Sequence, residues 1–239
     1  MVDTQTHPLL YGNSVEISRD RNHRYWIGSD GPKMPSVTSL TKHIDGDGFG
    51  AGLGWGLKMA RHSGGDLDAP HRIASESRRI GNQLHDAIAG FISTGAVSEE
   101  PLFLAWFHAV GKTHKWAASE RFLYHPQLSY GGTLDALSYD PDGNLSIWDW
   151  KTRESRESYE KNGSYQSEVA QISAYRDCLI SMGSRWTPIA SGFIVYVMRD
   201  ATGRQLSGEV DVVEVDLAHG SKLFQASRCL YRLLHQGGE

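Results

Sequence analysis

At 239 residues, with 39% hydrophobic and 22% charged residues, the chain has the balance of a globular protein with one substantial core or two small ones. Collagen, disorder and a disulfide-built miniprotein are excluded. Twenty-four Lys and Arg against 28 Asp and Glu leave a formal net charge of -4, so contact with nucleic acid must rest on local basic patches or metal ions.

The two cysteines, Cys178 and Cys229, are too few for a thiolate zinc site or a four-cysteine iron–sulfur cluster, and they suit a reducing compartment. No apolar run approaches the roughly 20 residues that span a bilayer, and MVDTQTHPLL lacks the layout of a signal peptide. The expected setting is the cytoplasm, with no membrane contact.

In chain order, HRYWIGS (23–29) predicts a short strand, and Pro35 introduces SVTSLTKHI, a strand end or a helix start with Ser36 or Thr38 as N-cap. Six glycines in DGDGFGAGLGWG (45–56) predict a mobile loop, with Phe49 and Trp55 as core anchors or as rings for a base. Ile73, Ile80, Leu84, Ile88, Phe91 and Ile92 recur at helical spacing over 71–93, one helix or a broken pair. A second helix is predicted over 101–118. From Ser119 the texture turns strand-like in ERFLYHP, SYGGTLDALSYD and LSIWDWKT, with PDGN as a turn between the last two. A helix ending at Gly183, strands in SGFIVYVMRD and EVDVVEVD, and a closing helix from AHGSKLFQ complete the order. Helices first and mixed strand and helix afterwards predict a single α/β domain over 1–239: N-terminal strands (1–44), a helical elaboration (45–118) and a core (119–239).

The densest chemistry lies in residues 130–152. In a hairpin centred on Asp142, opposed residues have numbers summing to 284, which pairs Asp135 with Asp149. Cross-strand Cβ atoms lie roughly 4.5–5.5 Å apart, close enough for both carboxylates to share a divalent cation. Lys151 projects from the same face as Asp149 because the strand period is two. Two acids that hold Mg²⁺ and a lysine that stabilises charge on phosphate are what phosphodiester hydrolysis requires; an ordinary ion pair on a solvated hairpin is the other reading. Apolar Ile147, Trp148 and Trp150 around them favour a semi-buried set, where unpaired charge is expensive.

Here the sequence resembles the PD-(D/E)XK nucleases, in particular the RecB-like exonuclease branch that includes the mitochondrial genome maintenance exonucleases. The family's glycine-flanked acid, second acid, spacer and lysine are similar to Gly131-Gly132-Thr133-Leu134-Asp135 and Asp149-Trp150-Lys151-Thr152. Gln171 to Tyr175 resembles the branch's later helical motif, His85 after Gly81 its earlier histidine, and Glu120 the acid that opens the first core strand. Tyr25 to Leu40, with Pro35-Ser36-Val37-Thr38, resembles the N-terminal signature of the mitochondrial-type members, so the likeness runs over roughly 23–235. The first acid lacks a preceding proline, the four-cysteine iron–sulfur subgroup is excluded, and no G-x-x-x-x-G-K-[ST] is present to drive unwinding with ATP.

The resemblance implies an α/β restriction-endonuclease-like core, a central mixed β-sheet flanked by helices, with a helical N-terminal elaboration. It implies Mg²⁺ or Mn²⁺ held by His85, Asp135, Asp149 and the Trp150 carbonyl, with Lys151 as electrostatic catalyst. Glu120 is expected to touch the metal through water or to orient Lys151, and Gln171 and Tyr175, one helical turn apart, to lie beside the scissile phosphate. On residue physics alone His85, beside Leu84 and Ile88, is a core histidine as readily as a ligand. Arg72, Arg78, Arg79, Lys112, Lys115, Arg153 and Arg156, interleaved with His114, Trp116 and Tyr159, form solvated faces or a groove for a nucleic-acid strand.

The expected activity is that of a metal-dependent DNA exonuclease on single-stranded or frayed ends, giving 5′-phosphate products in a bacterial or phage-infected cell, alongside replication, repair or recombination proteins. The 45–118 region is the expected gate for a free end. A catalytically inactive nucleic-acid-binding module and an endonuclease on the same core are the rival readings.

Overall fold

The computed structural model describes residues 2–45, 50–154, 165–200 and 204–235, the side chains of 50–55 and 205–208 excepted. The chain opens with three antiparallel strands, β1 (Val2–Pro8), β2 (Ser14–Asp20) and β3 (Tyr25–Ile27). Helix α1 (Val37–Thr41) follows, and its N-cap is Ser36, whose hydroxyl accepts the Ser39 amide at 3.1 Å. Next come α2 (Gly50–His62), α3 (Ala69–Thr94) and α4 (Pro101–Ala109). The rest is β4 (Lys115–His125), β5 (Tyr130–Tyr139), β6 (Leu145–Arg153), α5 (Gln166–Ser181), β7 (Ile189–Arg199), β8 (Gln205–Glu214) and α6 (Leu217–His235).

Strands β4 to β8 form one sheet in sequence order, antiparallel except for the parallel pair β6–β7, which α5 joins as a crossover. Alternation along the strands loads both faces. Ile147, Ile194 and Tyr196 pack with Ile172, Leu179 and Phe224 of α5 and α6, while Trp148, Trp150, Val195 and Val197 pack with Leu84, Ile88, Phe103 and Trp106 of α3 and α4. The expected α/β core, a mixed sheet flanked by helices, is the observed one.

Two element expectations change. The 101–118 helix stops at Ala109, because a short 3₁₀ turn at Gly111–Thr113 redirects the chain and residues from Lys115 join the sheet. Gly111 lies so close to Trp106 that a Cβ there would meet the indole at 2.6 Å, and the Trp116 indole N–H donates to the Gly111 carbonyl at 2.8 Å. The glycine-rich stretch is helical from Gly50 onward, since propensity is a weak prior. Residues 46–49, with Phe49, and the Trp55 side chain lie outside the described set. The 71–93 periodicity is one helix.

The N-terminal sheet is tied to the core by buried His7. Its Nδ1–H donates to the Phe122 carbonyl at 3.1 Å, its Nε2 accepts from Ser184 at 2.9 Å, and its ring meets Trp186 edge-on at 5.1 Å. Burial, aided by Arg121, lowers its pKa to about 4. The unfolded chain therefore binds the extra proton first as pH falls, so this contribution is full above the ordinary value of about 6.5 and is lost as pH falls toward 4. Chemical denaturation should show the stability advantage of wild type over His7→Asn shrinking by about 2–3 kcal/mol between pH 7 and pH 4.5; an advantage independent of pH would contradict a neutral buried imidazole.

Candidate active site

The site forms where the sheet's hydrogen bonding is interrupted. Between β5 and β6 the ladder pairs Ala136 with Trp148, Leu137 with Ile147, Ser138 with Ser146 and Tyr139 with Leu145, the register expected from the sequence. The ladder ends one step before Asp135 and Asp149. There the Trp150 amide donates to the Asp135 Oδ2 at 2.8 Å, so a carboxylate takes the place of a strand carbonyl. Between β4 and β5 the ladder pairs Ser119 with Ala136 and Arg121 with Leu134, passing over Glu120 and Asp135. Glu120 has φ of 48°, a left-handed conformation that costs an L-residue about 1–2 kcal/mol. This break turns its side chain toward Asp135.

His85 arrives from α3, which the buried Leu84 and Ile88 pin onto the tryptophan-rich face. Its Nε2–H donates to the Trp150 carbonyl at 3.1 Å, and its Nδ1 lies 3.7 Å from both Glu120 Oε1 and Asp135 Oδ2. Among the described residues, His85, Glu120 and Asp135 bring one ligand atom each within 4.8 Å of one another. From the opposite helical layer, Gln171 Nε2 donates to Asp149 Oδ1 at 3.2 Å and to the Tyr175 hydroxyl at 2.9 Å. The other Asp149 oxygen is ion-paired with Lys151. Asp149 is buried and lies outside the three-atom group, while the Trp150 carbonyl is engaged by His85.

Three carboxylates thus face one lysine and one imidazole. Burial opposes the charged imidazole, but Asp135 and Glu120 outweigh it and raise the His85 pKa to about 9. Burial pushes the Asp135 carboxyl up; Glu120 adds to this, and His85 and Lys151 oppose it. Burial likewise raises Asp149 against the pull of Lys151. Burial opposes the Lys151 charge, yet Asp149 and Asp135 hold its pKa above the usual lysine value. Two carboxylates and a ring nitrogen around one point are a donor set suited to a hard divalent cation.

A cavity of about 380 Å³ opens onto this cluster, walled by His85, Glu120, Asp135 and Tyr175 on the core side and by Arg19, Tyr25 and Thr38 on the N-terminal side. Thr133 joins the walls, accepting from Arg19 Nη1 at 3.3 Å and lying 2.9 Å from the Tyr25 hydroxyl. Arg19 has no signal in the sequence, since more than a hundred residues separate it from Thr133, which lies within the glycine-flanked acid motif. Glu168 did have one: three residues before Gln171 on α5, it acts on Asp149 and Lys151 and binds Arg153 and the Tyr196 hydroxyl.

Some residues of the expected basic and aromatic groove are engaged elsewhere, while Arg78, Lys112 and Lys115 are exposed. Arg72 pairs with Asp66 at 2.6 Å and Arg79 with Glu76 at 2.5 Å. Trp116 packs on Trp106, Trp148 and Trp150 at 5.6–5.7 Å, and His114 on Trp148 at 4.7 Å. Arg156 and Tyr159 lie outside the described residues. No helix among the described residues is long and apolar enough to cross a membrane.

Gly132 sets the floor of the site, because a Cβ there would collide with the buried Tyr175 ring. Gly132→Ala should destabilise the protein by about 1–3 kcal/mol, and by clearly less in a Tyr175→Leu background. Equal losses in both backgrounds, measured by urea denaturation, would show that the glycine is there for another reason.

No family model matches the chain, and no curated protein matches it. Among solved structures, LHK-Exo in complex with dAMP is similar over 85% of this chain and 89% of that one, at 10% identity and a TM-score of 0.43. An alkaline exonuclease (LHK-Exo) from Laribacter hongkongensis is similar over 64% of this chain and 83% of that one, at 14% identity and a TM-score of 0.33. The structure of SSO0001 is similar over 85% and 79%, at 14% identity and a TM-score of 0.39.

Proposed function

We propose that the chain is a divalent-metal-dependent nuclease that hydrolyses DNA phosphodiester bonds at a free end. The observation that carries this reading is the meeting of the His85, Glu120 and Asp135 ligand atoms beside buried Asp149 and its half-buried partner Lys151. His85 Nδ1 and the Glu120 and Asp135 carboxylates would hold Mg²⁺ or Mn²⁺, with Asp149 as the further acid. A cation bound there supplies Lewis-acid charge to the phosphate oxygens and to the attacking water.

The chain's own groups do the rest. The Trp150 carbonyl, by accepting the Nε2–H of His85, fixes the ring so that Nδ1 faces the acids. In this reading that carbonyl acts through His85 rather than as a ligand itself. Lys151, kept charged by Asp149 and Asp135, stabilises the negative charge that grows on the phosphate oxygens. Gln171, braced by Tyr175, holds Asp149 in its orientation. A water oxygen bonds to phosphorus in line as the bond to the 3′-oxygen breaks. The water gives up its proton, the 3′-oxygen takes one to become a hydroxyl, and the phosphate stays on the 5′ side.

The net charge of -4 and the ion pairs of Arg72 and Arg79 weigh against a tightly gripped duplex. In the presence of Mg²⁺ or Mn²⁺, linear single-stranded DNA should be degraded much faster than blunt duplex, with circular single strands resistant. Asp149→Ala and Lys151→Ala should each lower turnover by roughly a hundredfold or more while the fold is retained. Full activity in EDTA would remove the metal mechanism, rapid cutting of closed circles would favour an endonuclease, and binding without hydrolysis would favour an inactive module.

A further inference from the structure

We propose that Gln5 is a positioning residue for the metal site, setting the Glu120 carboxylate by gripping the backbone on both sides of Arg121; the inference rests on the nuclease reading above. Among the described residues β4 is the outer strand of its sheet, so its far edge carries N–H and C=O groups with no strand partner there. β1 runs beside that edge but belongs to the other sheet, and side chains make the bonds instead. Gln5 Nε2 donates to the Glu120 carbonyl at 2.8 Å, and the Phe122 amide donates to Gln5 Oε1 at 3.0 Å. One half-buried amide group thereby satisfies the edge on either side of Arg121.

What makes this grip functional is the backbone it holds. Glu120 has φ of 48°, and a non-glycine residue persists there only where its surroundings over-determine it. An ordinary extended φ would redirect the Cα–Cβ bond, and with it the carboxylate now 3.7 Å from His85 Nδ1. The bond to the Glu120 carbonyl opposes that relaxation. His7, two residues along the same strand, bonds the Phe122 carbonyl and leaves the Glu120 peptide untouched, which makes it the control.

The test is calorimetric titration of Mn²⁺ into the full chain, without DNA, for wild type, Gln5→Ala, Gln5→Glu and His7→Asn. Gln5→Glu keeps an acceptor for the Phe122 amide but sets a carboxylate oxygen against the Glu120 carbonyl. Both Gln5 variants should bind Mn²⁺ roughly tenfold or more weakly, His7→Asn should stay within about twofold of wild type, and DNA hydrolysis by Gln5→Ala should recover at saturating Mn²⁺. Wild-type affinity in the Gln5 variants would overturn the proposal, as would equal weakening by His7→Asn. A wild-type chain that binds no Mn²⁺ would overturn the nuclease reading itself, which keeps the two failures distinct.

Discussion

A buried strand whose ladder is broken must find other partners for its peptide groups, and the way this chain does so determines where its reactive groups stand. At Asp135 the carboxylate accepts the Trp150 amide, and at Glu120 the carbonyl accepts Gln5. Both are side chain to backbone bonds, made where strand to strand bonds stop. Because Trp150 is clamped among Trp106, Trp116 and Trp148, the amide and the carbonyl that bond Asp135 and His85 are anchored by ring packing on one face of the sheet. Asp149 and Lys151 project toward Gln171 and Tyr175 on the other side. The interruption lets groups from two helical layers converge on one place.

The charge balance follows from that convergence. Burial is the largest influence on Asp135, Asp149, His85 and Lys151 alike, and it disfavours every charged form. His85 and Lys151 nonetheless keep raised values, because each sits beside more than one carboxylate. Three acids against two bases leave a site with room for added positive charge, which is the electrostatic ground for the cation proposed above.

Much of this was legible in the chain. The sum of 284 requires only a two-residue period and a turn at Pro141-Asp142-Gly143, and all four β5–β6 pairs obey it. The spacing of Asp149 and Lys151 placed both on one face for the same reason. Local periodicity says nothing about the peptide plane at a ladder break, so the left-handed Glu120 and the bond from Asp135 to Trp150 had no sequence signature. Nor did Gln5, whose partners lie 115 and 117 residues away. The 101–118 stretch looked helical throughout because Trp116 continues the hydrophobic texture, whereas the 3₁₀ turn at Gly111–Thr113, with Gly111 close against Trp106, redirects the chain.

The proposed divalent cation would lie between His85, Glu120 and Asp135. Anomalous diffraction from crystals soaked in Mn²⁺ tests it directly. A single strong peak within coordination distance of His85 Nδ1 and of both carboxylates is the predicted result. Mn²⁺ bound elsewhere on the chain, with His85 Nδ1 and the Glu120 and Asp135 carboxylates unoccupied, would contradict it.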